Sequence, residues 1–195
     1  MERGFKFILV VCCFINAFPA KNGLALDKKD HNLLKIGMGL TVLADFLMVM
    51  LDVNVFGILA FCAVQVVYNY RYTSLARVKV QAVLGVAVFA VAFLITGFDV
   101  ILAAGCAYGI FTLYSLSGAF MARNKYPAPN NGLIIVGMVL FLVCDIFVMI
   151  NSLPILELYG EQAFNFVQKG IWVCYLPAQV LLSSSARRII IEDEK

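Results

Sequence analysis

The sequence predicts an all-α fold: a polytopic membrane bundle of seven transmembrane helices, forming one domain over residues 1–195. Composition is the first reason. Hydrophobic residues make up 63% of the chain and charged residues 14%, against about 45–50% and about 25% in soluble domains. Spacing is the second: apolar runs near the ~20 residues that a spanning helix requires recur along the whole chain, with only short polar breaks between them. The third is an internal match. Ile36-Gly-Met-Gly-Leu-Thr-Val-Leu-Ala-Asp45 and Val136-Gly-Met-Val-Leu-Phe-Leu-Val-Cys-Asp145 share Gly, Met, Leu and Asp at an offset of 100 residues.

The seven helices are expected at residues 5–20, 32–51, 54–70, 78–98, 100–122, 131–152 and 163–186. Turn and polar residues separate them: Lys21-Asn-Gly, Asp52-Val-Asn54, Arg71 to Lys79, Gly97-Phe-Asp99, Arg123 to Asn131 with Pro127 and Pro129, and Leu153-Pro154 to Glu161. Arg3 and Lys6 ahead of Phe7–Phe18 imitate a signal peptide with Ala20 at its cleavage site. Phe18 would then occupy the −3 position, where a small residue is needed, so an uncleaved first helix is expected. With seven spans, one side of the membrane carries Lys21, Lys28, Lys29, Lys35, Arg71, Arg77, Lys79, Arg123, Lys125, Arg187, Arg188 and Lys195. The other side carries only Arg3, Lys6 and Lys169. Positive-inside bias then puts the N-terminus outside and the C-terminus in the cytoplasm of a cell-membrane protein. Lys169 is expected to snorkel to the outer surface.

The two matched stretches fall in helices two and six, which point the same way. Helix three carries Ala63-Val-Gln65-Val and helix seven Pro177-Ala-Gln179-Val. A 3-1-3 parallel repeat follows, with helix four as linker. Polar residues form stripes at helical spacing: Thr41, Asp45 and Asp52; Gln65, Tyr68, Asn69 and Tyr72; Tyr108, Thr112 and Ser115; Asp145, Asn151 and Ser152; Tyr175, Gln179 and Ser183. Pro177 should kink helix seven and free a carbonyl near Gln179. Any single stripe could only bond neighbouring helices. Tyr70, Tyr72, Tyr126 and Tyr159, near helix ends, read as interfacial aromatics.

An ionisable residue inside a spanning helix costs roughly 2.5–3.5 kcal/mol on insertion scales and marks a functional site by default. Asp45 and Asp145 are therefore the catalytic candidates, with Gln65, Tyr68, Tyr108, Tyr175 and Gln179 expected to line the same interior. The two carboxylates are expected to face each other across a cavity in the outer half of the membrane. A carboxyl pair in an apolar interior can keep one group protonated and the other ionised near neutral pH. That suits hydrolysis of an acid-labile C–O bond, an acetal or a vinyl ether, in a lipid substrate drawn from the bilayer. No metal or other cofactor is expected. Cys12, Cys13, Cys62, Cys106, Cys144 and Cys174 show no ligand spacing and read as small buried hydrophobes. His31 lies in a polar stretch with Asp27, Lys28, Lys29 and Asp30, read as a loop, and lacks further ligands. No GxSxG, HExxH or Walker motif is present. The net charge of +3 lies in short loops and implies no nucleic acid.

At these residues the chain resembles the YhhN family of integral membrane lysoplasmalogenases. The resemblance rests on Ala44-Asp45-Phe-Leu, on Phe56-Gly57 with Phe61 and Gln65-x-x-Tyr68, on Phe141-Leu-Val-Cys-Asp145, and on Tyr175-x-x-Ala178-Gln179. It covers roughly residues 36–185. It implies hydrolysis of the vinyl-ether bond of lysoplasmalogens to a fatty aldehyde and a glycerophospho-base, with Asp45 and Asp145 as the catalytic pair. The chain departs from the family pattern where Ala44 replaces Gly, Cys144 replaces Ser and Gln65 stands in place of His, and it has one helix fewer than the usual eight. Two other classes stay open. One is a small-solute transporter with the same 3-1-3 plan, although the only Trp is Trp172. The other is a non-enzymatic membrane protein in which the aspartates fix packing.

Overall fold

The computed structural model describes residues 2–18, 27–152 and 160–187. Among these it is all-helical, with seven α-helices: α1 Glu2–Asn16, α2 Lys28–Asp45, α3 Asn54–Tyr72, α4 Leu75–Ile95, α5 Val100–Met121, α6 Asn130–Asn151 and α7 Gly160–Ser184. A π-turn, Phe46–Met50, extends α2, and a 3₁₀ turn, Ala122–Asn124, follows α5. Tyr159, Arg188 and Lys195 lie outside the described residues, as does Lys21.

The expected boundaries hold to within a few residues. The widest differences are four residues, at the end of α1 and at the start of α2, which begins at Lys28 rather than at residue 32. Asp27 is its N-cap, and its carboxylate accepts from the backbone N–H groups of Lys29 and Asp30, both at 3.2 Å. A capping acid ahead of a charged first turn makes that polar stretch helix rather than loop. His31 is therefore a buried helical residue, 2.8 Å from the Ala17 carbonyl through Nε2.

Four segments are long and apolar enough to cross a membrane: Lys28–Met50, Leu75–Ile95, Val100–Asn124 and Asn130–Asn151. α1 is shorter. α3 and α7 dilute their apolar character with polar residues that turn inward: Gln65, Asn69 and Arg71 on α3, and Gln179 and Ser183 on α7, all buried. α7 runs continuously through Pro177. The cysteines are more varied than expected: Cys13 and Cys144 are buried, but Cys12 and Cys106 are exposed.

The helices form a closed ring in the order α1, α2, α3, α5, α6, α7, with α7 returning to α1. α4 packs outside, on α3 and α5, and its outer face, including Val83, Val86 and Leu94, is exposed. Two glycines let the ring close tightly. A Cβ on Gly37 would stand 2.7 Å from Cε1 of Tyr68, and one on Gly137 would stand 2.9 Å from Cγ of Leu182. Both neighbours are fully buried and cannot swing away. Gly37→Val and Gly137→Val should each lower stability by about 1–3 kcal/mol through overpacking, read as a lower melting temperature in detergent. Unchanged melting would refute this packing.

One end of the ring holds a buried charge cluster. Arg71 sends Nε and Nη2 to the two carboxylate oxygens of Asp30, at 3.0 and 2.9 Å, and Nη1 to Ser185 Oγ at 2.9 Å. Tyr126 donates to Asp30 at 2.5 Å, and Lys125 to the Arg71 carbonyl at 2.8 Å. Burial pushes the Tyr126 phenol above its usual range, so it stays protonated as a donor. Tyr72 and Tyr126, expected at the membrane interface, are instead buried around this cluster, while Tyr70 is half-buried. At the same end Asn16 donates to Ser183 at 2.9 Å. The end of α1, the start of α2, the end of α3, the α5–α6 connection and the end of α7 thus lie together, as helices that alternate in direction require.

Candidate active site

Asp45 is the last residue of α2 before the π-turn. Within that turn the Leu51 N–H donates to the Phe46 carbonyl at 3.2 Å, and Met48 occupies the space where a side chain on Gly57 would stand. α6 stays α-helical through the matching stretch after Asp145, so the two aspartates have different local supports. π-turns of this kind mark functional positions in many helices. The turn is followed by Asp52 at a φ of 54°, a left-handed conformation that Asp tolerates better than most residues.

The two carboxylates are each gripped by a phenol. Tyr175 of α7 donates to Oδ2 of Asp45 at 2.5 Å. Tyr108 of α5 donates to Oδ2 of Asp145 at 2.8 Å, and Thr112, one turn on, to the same oxygen at 3.3 Å. Asp45 is 5% exposed, whereas Asp145 is half-buried in the seam between α5 and α6. Cys144, next to Asp145 in the chain, is buried.

A run of aromatic rings links the two phenols that hold the aspartates. Phe61 lies 6.0 Å from Tyr108 and 6.1 Å from Phe141, and Phe141 lies 5.8 Å from Tyr175. An open crevice of about 430 Å³ lies elsewhere, between α1 and α7, lined by Leu9, Cys12, Cys13, Asn16, Leu176 and Val180.

Of the expected lining residues, Tyr108 and Tyr175 reach the carboxylates. Tyr68 does not: its hydroxyl meets the Met38 sulfur at 3.4 Å, and its ring covers Gly37. Gln65 and Gln179 are 0% exposed, and neither amide oxygen nor nitrogen of either has a hydrogen-bond partner. Gln65 neighbours the Tyr108 hydroxyl, and Gln179 follows Tyr175 by one turn on α7. A buried polar group left unpaired costs about 1–3 kcal/mol, so these two amides stand out among the buried polar side chains. Sequence reasoning missed Asp30 and Arg71, which it read as loop charges. The signal was present: Asp30 and Asn130 occupy the same place in the offset of 100.

Among the described residues, no cluster of three or more His, Cys, Asp or Glu could hold a metal ion. A sequence model described as the YhhN family matches residues 1–186. No curated protein and no solved structure matches the chain.

Proposed function

Because the chain belongs to the YhhN family, we propose that it is a membrane-embedded hydrolase cleaving the vinyl-ether bond of lysoplasmalogens. The products are a fatty aldehyde and a glycerophospho-base. The observation that carries the reading is the pair of phenol-bound carboxylates in an apolar helical ring, Asp45 with Tyr175 and Asp145 with Tyr108. A carboxyl group donates its proton to the vinyl carbon remote from oxygen, leaving an oxocarbenium ion. The other carboxylate takes a proton from the water that attacks it. The tyrosines hold the carboxyl groups in place, and Gln65 and Gln179 contact the polar part of the reacting system. Purified protein mixed with a lysoplasmalogen in detergent micelles should release aldehyde, measured by trapping with a hydrazine. A parent protein that releases none overturns the activity.

The chain is a seven-span protein of the cell membrane in this reading, with helices one to three repeated as five to seven and helix four as linker. The ring of six helices with α4 outside favours the repeat, as do matched contacts. Gly37 under Tyr68 corresponds to Gly137 under Leu182. Asp30 bonded to Arg71 corresponds to Asn130, which donates to the Ser185 carbonyl at 2.9 Å. The basic residues concentrate at the end that holds the Asp30–Arg71 cluster, which supports a cytoplasmic setting for that end. A reporter fused after Lys195 should be cytoplasmic, and one inserted near Tyr159 should be outside. An extracellular C-terminus would overturn the count of spans.

A further inference from the structure

Gln65 is fully buried with both ends of its amide unused. Its backbone carbonyl accepts from Ser115 Oγ at 2.6 Å, which clamps this point of α3 against α5. There the amide neighbours the Tyr108 hydroxyl. Tyr108 and Thr112 both donate to Oδ2 of Asp145, and Oδ1 of that carboxylate accepts no hydrogen bond from the described residues. The α5 face that carries them also carries Gly105, two turns before Thr112. Gly105 is half-buried, and nothing lies within 4 Å of where its Cβ would stand. The amide and the carboxylate thus both neighbour the Tyr108 hydroxyl, and the same face of α5 has open space at Gly105. Buried polar groups in this position are ordinarily satisfied by an internal water with two to four partners.

We infer that Gln65 and Asp145 hold a water molecule between them, and that this is the water that attacks the oxocarbenium carbon. The inference rests on the hydrolase reading above and assigns its nucleophile. Gln65 Oε1 accepts one water O–H and Asp145 Oδ1 the other, leaving a lone pair for the carbon. Asp45, carrying the proton, first gives it to the vinyl carbon and becomes a carboxylate. Water then forms its C–O bond as its proton passes to Asp145, giving a hemiacetal. The hemiacetal O–H returns a proton to Asp45 while Asp145 protonates the departing glycerol oxygen, whose bond to carbon breaks. Aldehyde and alcohol leave, one water is consumed, and both carboxyl groups regain their starting states. Gln65 is a positioning residue in this scheme, since it acts through the water.

The first test needs no substrate. Difference infrared spectra of the full-length protein in lipid, in ordinary water and in ¹⁸O-water, should show an O–H stretch of a bound water that shifts with the isotope. Gln65→Leu should abolish the band, and so should Gly105→Val, which fills the space and keeps the amide. The second test is kinetic. Gln65→Leu should lower kcat about 10²-fold, the scale of a misplaced reactant, with KM little changed. With methanol present, the ratio of mixed acetal to aldehyde should rise several-fold, because methanol no longer competes with a held water. A parent protein without the isotope-sensitive band overturns the inference whatever its activity. A band that survives both substitutions does so too, as does a raised KM with an unaltered methanol ratio, which would mean that Gln65 touches the lipid. A parent that shows the band but releases no aldehyde retains the water site and loses the hydrolase reading.

Discussion

Asp45→Asn and Asp145→Asn should each reduce aldehyde release from a lysoplasmalogen by about 10²–10⁴-fold, the usual cost of losing a positioned acid or base. Asparagine keeps the size of the side chain and an oxygen that can accept from Tyr175 or from Tyr108 and Thr112. The bundle should therefore stay folded, with a melting temperature near that of the parent. What asparagine removes is the proton: it can neither give one to the vinyl carbon nor take one from water. The double variant should be hardly slower than the slower single one, because groups acting in one proton cycle fail together. Tyr175→Phe and Tyr108→Phe should cost less, since they loosen a carboxyl group without deleting it. Parallel assays of the asparagine variants and the parent decide the matter. Two asparagine variants that hydrolyse as fast as the parent would leave the carboxylates with a packing role only.

The seven helices were legible because one pattern, an apolar run and then a polar break, recurs along the chain. A helix that crosses a membrane needs some 20 apolar residues, four segments here meet that length, and the breaks show as charge, Gly, Pro or other polar residues. The two aspartates were legible for the same reason, as carboxylates where none belongs. Their partners were partly legible. Tyr108 with Thr112 and Tyr175 with Gln179 lie one turn apart, so the stripe places them together, but no stripe tells which neighbouring helix it meets. That is why Tyr68, on the same stripe as Gln65, was grouped with the carboxylates although it caps Gly37 instead. The aromatic run between the two phenols was not legible, because Phe61 and Phe141 look like any other core residues. Arg71 was misread for a related reason. A charge near a helix end ordinarily faces water, and only the fold shows that Asp30, Tyr126 and Ser185 converge on it.

Removing either partner of that cluster should be the most damaging change to stability in the bundle. Arg71 is 1% exposed and Asp30 4%, and two parallel hydrogen bonds of 3.0 and 2.9 Å join them. Such a fork is the stronger kind of ion pair. The pair as a whole need not stabilise, because desolvating both charges offsets much of their attraction, but breaking it leaves one charge buried alone, at a cost of about 3–5 kcal/mol. Arg71→Met and Asp30→Asn should each lower the melting temperature by roughly 6–20 °C, taking about 2–4 °C per kcal/mol for a chain of this size. The second half of the ring indicates how the position tolerates neutrality, because Asn130 and Ser185 meet at the matching place without any charge. The double variant Asp30→Asn with Arg71→Met should accordingly be more stable than either single one. The amide can still accept from Tyr126, and the methionine fills most of the space of the guanidinium. Coupling larger than the loss of either single variant, above about 3 kcal/mol, is then the expected signature of contact. Thermal melting of the four proteins in one detergent measures it directly. Strictly additive losses would mean that the ion pair is not formed, and a double variant weaker than both singles would show that the charge itself holds this end of the ring closed.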